Sequence, residues 1–149
     1  MKVKKIYKDL TSLNGLHIEL TPSNAVLSGL FRSLKKELFP TYLSNLLANK
    51  SFGVENASFG FYHEMDWEDK AELEYLGGIK EGEVSVYFSQ ASSYDTILSE
   101  ALFIQIFYDY SVKLLEVYRT DSSLPVAWAM DMEDSLRKLK HLIDAKKNM

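Results

Sequence analysis

The sequence predicts an α+β domain in which a small, mainly antiparallel sheet is packed by amphipathic helices. Three observations carry that prediction. Val84, Val86 and Phe88 alternate with Ser85 and Tyr87, the period of a strand with one buried face. Phe103, Ile106, Phe107, Tyr110, Leu114 and Val117 recur at three- and four-residue spacing, the period of a helix. The two kinds of segment are grouped along the chain and do not strictly alternate. No internal repeat or low-complexity linker interrupts residues 1–149, which therefore read as one domain. At 149 residues and 46% hydrophobic content, such a chain buries roughly 70% of its unfolded surface.

The elements follow in order. Thr21-Pro22 reads as a helix start, a capping hydroxyl followed by proline at the first helical position. Leu27, Leu30, Phe31, Leu34 and Leu38 then line one face, with Arg32, Lys35 and Lys36 away from it, and Pro40 is expected to end or kink that helix. Tyr42, Leu43, Leu46 and Leu47 predict a short second helix stopped by Asn49 to Gly53. Residues 57–62 and 83–88 read as strands, and 72–75 as a further strand leading into the Gly77-Gly78 turn. Residues 95–98 are a short strand, after which Ser99 caps a long helix reaching Tyr118. The D-S-S-L-P loop follows. Trp128, Met132, Leu136, Leu139 and Ile143 then place an apolar stripe, with Trp128 in the core, on a last helix whose final turns carry lysines.

Composition excludes several classes of function. The chain has no cysteine, so no disulfide, thiolate zinc site or cysteine nucleophile is available. The basic start, M-K-V-K-K-I-Y-K-D-L, lacks the apolar run of a signal peptide, and no segment has the roughly 20 uncharged residues of a membrane span, so the expectation is a protein of the reducing cytoplasm with no membrane partner. A sequence pI near 5.4 argues against nucleic acid as a partner, because phosphate contacts need a positive face. There is no G-x-S-x-G elbow, glycine-rich phosphate loop, H-E-x-x-H or EF-hand pattern. We therefore expect no enzyme, no cofactor, no catalytic residue and no metal ligand. His17 and His141 read as ordinary positions.

The most informative segment lies between Glu64 and Glu83. It holds eight carboxylates against Lys70 and Lys80, a local charge near −6, while the whole chain carries −4. A field so concentrated attracts a basic partner and speeds its encounter. A solvated loop that protects the sheet from aggregation would have the same composition. Trp67 tips the balance, because a tryptophan inside M-D-W-E-D has no apolar periodicity beside it, and aromatics ringed by charge are typical of binding hot spots. An anchor buried against the sheet would explain it as well. The candidate partner-binding residues are Glu64, Asp66, Trp67, Glu68, Asp69, Glu72 and Glu74. His63 next to Glu64, with Asp66 nearby, offers a competing set, an imidazole and two carboxylates for a metal-dependent hydrolase. On a strand, however, neighbours point to opposite faces.

The order of small motifs adds a further pointer. A leading helical region, S-F-G-V-E-N-A-S-F-G-F at 51–61, an acidic link to G-E-V-S-V-Y-F, and D-T-I-L-S-E-A-L-F entering a long helix that ends at V-Y together resemble the immunity proteins of bacterial contact-dependent growth inhibition systems. The resemblance covers residues 21–118. It implies a cytoplasmic antidote that binds the C-terminal toxin domain of its cognate effector, often a ribonuclease, and covers its active site or substrate surface. It carries over no fixed binding residues, since these vary with the toxin. An adaptor that binds some other, non-toxin protein is the remaining alternative.

Overall fold

In the computed structural model, which describes residues 1–148, the chain runs β1 (Lys2–Lys8), β2 (Leu16–Thr21), α1 (Ala25–Arg32), α2 (Phe39–Leu47), β3 (Phe52–Gly53), β4 (Ala57–Phe61), α3 (Trp67–Ala71), β5 (Glu83–Phe88), β6 (Asp95–Ser99), α4 (Glu100–Tyr118) and α5 (Trp128–Lys147). The fold is α+β with antiparallel pairing throughout the described strands, but the strands form two sheets where the sequence led us to expect one. β1 and β2 make a hairpin, and the other four lie in the order β3-β4-β5-β6.

Alternation sets the faces of the larger sheet. Ala57, Phe59, Phe61, Val84, Val86 and Leu98 are buried, and α1 and α4 cover that face. The register pairs Ser58 with Tyr87, Gly60 with Ser85, and Tyr87 with Asp95, so small and polar side chains line the outer face. α5 packs on α2 and α4, and its Trp128 is in the core with the indole N–H donating to Lys36 O at 3.0 Å. Stacked Phe31 and Tyr110, 4.7 Å between centroids, sit with Phe39, Phe103 and Phe107 at the centre of the apolar cluster. The Tyr110 hydroxyl lies within hydrogen-bonding distance of Asn14 Oδ1 and Leu16 O, and Asn14 Nδ2 donates to Phe31 O and Leu34 O at 2.8 and 2.9 Å. One buried polar group thus satisfies carbonyls at the end of α1 and fixes the β1–β2 loop to α4.

Four sequence expectations are corrected. Thr21-Pro22 does not start α1: Thr21 ends β2, and Asn24 is the cap, its Oδ1 accepting from Leu27 N at 3.0 Å. α1 ends at Arg32, so Leu34 and Leu38 lie beyond it, the first buried in the core and the second exposed on a 3-10 turn. Pro40 does not end a helix but stands in the first turn of α2, where its missing N–H costs nothing. Residues 72–75 are not a strand. Glu72 caps α3, and Glu74–Leu76 is a 3-10 turn ending at Gly77, with φ of 95° there and 84° at Gly78, values that glycine takes without strain. The hairpin of β1 and β2 has no counterpart in the sequence reading. β5 and α4 have the predicted bounds, and Ser99 Oγ accepts from Leu102 N as the expected cap. Among the described residues no helix is long and apolar enough to cross a membrane.

Candidate functional site

The acidic segment crosses the outer face of the four-stranded sheet, where the small side chains of β4 and β5 leave room for it. After β4 the chain makes a 3-10 turn, Tyr62–Glu64, and then α3. Five residues do not form a stable helix alone. Local contacts hold this one. Asp66 and Asp69 make a reciprocal capping box, with Asp69 N donating to Asp66 Oδ1 at 2.9 Å and Asp66 N to Asp69 Oδ2 at 3.3 Å. Lys70 Nζ stands 4.1 Å over the Tyr62 ring. Leu73 and Ile79 are buried and pin the segment to the sheet. Met65 lies over Gly60, where an added Cβ would come within 3.1 Å of its Cε. Tyr75 closes the arc by donating its hydroxyl to Asp95 Oδ2 at 2.6 Å, and that carboxylate raises the phenol pKa above its ordinary value.

Between segment and sheet lies an open cleft of about 470 Å³, lined by Glu64, Asp69, Glu72 and Asp95 together with Ser85 and Tyr87. The remaining members of the expected set, Asp66, Trp67, Glu68 and Glu74, are exposed around it. Trp67 is not a buried anchor to the sheet: it is 76% exposed. Tyr75, Tyr87 and Tyr94 are exposed as well. None of the eight carboxylates between Glu64 and Glu83 makes an ion pair among the described residues. α5, by contrast, pairs Asp134 with Lys138 at 3.0 Å and Asp144 with Lys140 at 3.2 Å. The segment's carboxylates are thus held in no direct ion pair, and the exposed Trp67, Tyr75 and Tyr87 lie among or beside them.

His63, Glu64 and Asp66 do not converge. His63 Nε2 donates to Asn49 O at 3.0 Å, its Nδ1 faces Glu100 Oε1 at 3.8 Å, and the ring stacks on Phe61 at 5.4 Å. Glu64 Oε1 accepts from Ser51 N at 2.6 Å and from Ser51 Oγ, and Ser51 Oγ in turn accepts from Phe61 N at 3.0 Å. Asp66 is the α3 cap. Each of the three ties one piece of backbone to another, and among the described residues no group of three His, Asp or Glu is placed to hold a metal ion. Tyr75, Tyr87, Tyr94 and Asp95 escaped the sequence reading. A signal for two of them was present: if Val84, Val86 and Phe88 point inward, Tyr87 points outward, and pairing then brings Asp95 beside it.

No family model matches this chain, and no curated protein and no solved structure matches it.

Proposed function

We propose that the protein is a cytoplasmic immunity protein that binds the toxin domain of a contact-dependent growth inhibition effector, a ribonuclease, and covers its active site with the acidic segment. The observation that carries this reading is Trp67, 76% exposed on a helix whose own capping box holds it in place, amid carboxylates that make no ion pair with a lysine or arginine among the described residues. A ribonuclease presents a basic groove to the RNA backbone, and a surface of this charge competes for that groove. The motif order over residues 51–118 supports the same reading. Glu68, Glu72 and Glu74 supply steering, Trp67 and the neighbouring tyrosines supply apolar contact, and the protein carries out no chemistry of its own.

Co-expression with the toxin domain encoded immediately upstream tests the proposal, with cell survival and recovery of a complex by size exclusion as readouts. Survival with a stable complex is expected. Trp67→Ala should raise the dissociation rate, with a loss of about 2 kcal/mol or more for a hot spot. Replacing Glu68, Glu72 and Glu74 with glutamine should instead slow association and flatten its salt dependence. Unchanged affinity in the fourfold variant, with its circular dichroism spectrum intact, would refute the assigned surface, and no rescue by the folded wild-type protein would refute the function.

A further inference from the structure

The loop between β1 and β2 has its polarity reversed. Ser12 and Asn14 are buried, while Leu10 is 97% exposed and Leu13 60%. A loop shaped by folding alone would cover the leucines and leave the serine and asparagine to water, so the reversal points to something outside the chain. The loop is also fixed. Asp9 accepts from Thr11 N at 2.9 Å and Thr11 Oγ1 at 2.7 Å, Ser12 N donates to Asp9 O at 3.1 Å, and Leu13 N donates to Arg32 O at 3.0 Å. Asn14 holds the carbonyls of Phe31 and Leu34 from within. The leucines are thus displayed by a bonded frame. Water satisfies an exposed charge or hydroxyl, but it does not satisfy these side chains.

Cations surround the leucines. Leu13 shares an open hollow of about 430 Å³ with the exposed Leu38 and Lys35. Arg32 Nη2 donates to Thr11 Oγ1 at 3.0 Å, next to Leu10, and Lys8 ends β1 two residues before it. Lys8, Arg32 and Lys35 are exposed and make no ion pair among the described residues. Along β1 only Lys4 has a carboxylate partner, Glu19 at 3.7 Å. Two carboxylates lie beside the patch: Asp9, already engaged by Thr11, and Glu55 on the wall of the hollow. In a chain of net charge −4, the apolar tip therefore stands where positive charge gathers.

Shape decides what covers the tip. A leucine 97% exposed stands proud of the surface, so a protein could receive it only in a hollow of matching form. The interface of a bilayer opens around an apolar side chain, and its anionic headgroups meet lysine and arginine at the same depth. We propose that the β1–β2 loop docks the protein on an anionic phospholipid surface, with Leu10 and Leu13 entering the acyl boundary and Lys8, Arg32 and Lys35 meeting the phosphates. The expectation of no membrane partner rested on the lack of a spanning segment, and peripheral docking needs none. The patch shares no residue with the acidic segment or its cleft, so toxin binding does not depend on it.

Sedimentation of the full chain with vesicles tests the proposal, phosphatidylcholine alone against equal parts of phosphatidylcholine and phosphatidylglycerol. The anionic vesicles should bind the chain about tenfold or more tightly, and less so as salt rises. Leu10→Ser combined with Leu13→Ser should weaken that binding about tenfold with the circular dichroism spectrum intact. Lys8→Gln and Lys35→Gln should each weaken it about fivefold. Leu10→Trp sets a fluorophore at the tip, and brominated phospholipid should quench its emission beyond any quenching of the wild-type chain. The proposal is overturned if the chain does not sediment with anionic vesicles, or if the double serine variant binds as wild type, which would leave charge alone as the attraction. Self-association of the wild type in lipid-free buffer, abolished by the two serines, would overturn it as well and make a second copy the occupant.

Discussion

Gly29→Ala sets two opposed effects against each other at one buried position of α1. Alanine in a helix interior is favoured over glycine by about 1 kcal/mol, so propensity alone predicts a gain. Packing predicts the reverse. A Cβ built on Gly29 would stand 2.2 Å from Phe88 Cδ2, 2.4 Å from Cε2 and 2.5 Å from Cγ, where ordinary carbon contacts are roughly 3.5–4.0 Å. The ring is rigid and meets the new methyl broadside, so Phe88 must swing off α1. Full loss of a buried phenylalanine costs about 3–5 kcal/mol, and Phe88 is only half-buried, so displacing it costs roughly 2–3 kcal/mol. The balance is a destabilisation of about 1–2 kcal/mol, or about 3–6 °C in Tm for a chain of this size. Urea denaturation followed by circular dichroism measures it, with the slope unchanged. In a Phe88→Ala background the clash is gone and the same Gly29→Ala change should stabilise by up to about 1 kcal/mol, a coupling of about 2–3 kcal/mol between the two sites. Additive effects, or a Gly29→Ala protein as stable as wild type, would refute the reasoning.

Three further outcomes follow from named contacts. Tyr110→Phe removes the buried donor that serves Asn14 Oδ1 or Leu16 O and should cost about 1–2 kcal/mol in chemical denaturation. Burial pushes the Tyr110 phenol well above its ordinary value of 10.0, so its contribution is complete below pH 10 and is lost as pH rises beyond that; the alkaline fall in Tm should be shallower in Tyr110→Phe. Hydrogen bonds from Ser123, then from Lys36, hold the Asp121 carboxyl down at about 2 against an ordinary 3.8, so its stabilisation is present above pH 4 and fades as pH falls towards 2; Asp121→Asn should remove that part of the acid sensitivity of Tm. Asp66→Ala removes the α3 cap, worth about 1 kcal/mol in helices generally, and should raise hydrogen exchange at Lys70 and Ala71 about fivefold while leaving global unfolding unchanged.

What the sequence made legible was set by how far each signal extends. The apolar face of α4 persists over nineteen residues and that of α5 over twenty, so no single ambiguous position obscures the period. β2 has its own alternation, with Leu16, Ile18 and Leu20 buried, but it is six residues long, and its partner β1 carries an irregularity between Val3 and Lys5 that puts Val3 and Ile6 out of phase. Neither strand stands out alone; their pairing does. Two capping signals, Thr21-Pro22 and Asn24, lie three residues apart, and the strand pairing of Lys2 with Thr21 decides between them. The acidic run was visible because it is contiguous. Asp95, which completes the surface, comes from another strand, and only the β5–β6 register brings it beside Tyr87 and within reach of Tyr75.

The residues that hold the acidic segment in place are largely distinct from those it displays. Asp66 and Asp69 face each other across the helix cap, Glu64 is spent on Ser51, Lys70 on the Tyr62 ring and Tyr75 on Asp95, while Leu73 and Ile79 are buried. Trp67, Glu68, Glu72 and Glu74 are exposed, Glu72 on the wall of the cleft, and the three carboxylates make no ion pair among the described residues. A segment that served only for solubility would need the outward group but not the inward scaffold, since flexible carboxylates solvate a surface equally well. Fixing a five-residue helix before any partner arrives lowers the ordering cost at the moment of binding, and that gain is realised only if something binds. The exposed group should accordingly be replaceable with little change in folding stability, because it contributes nothing to the scaffold beneath it.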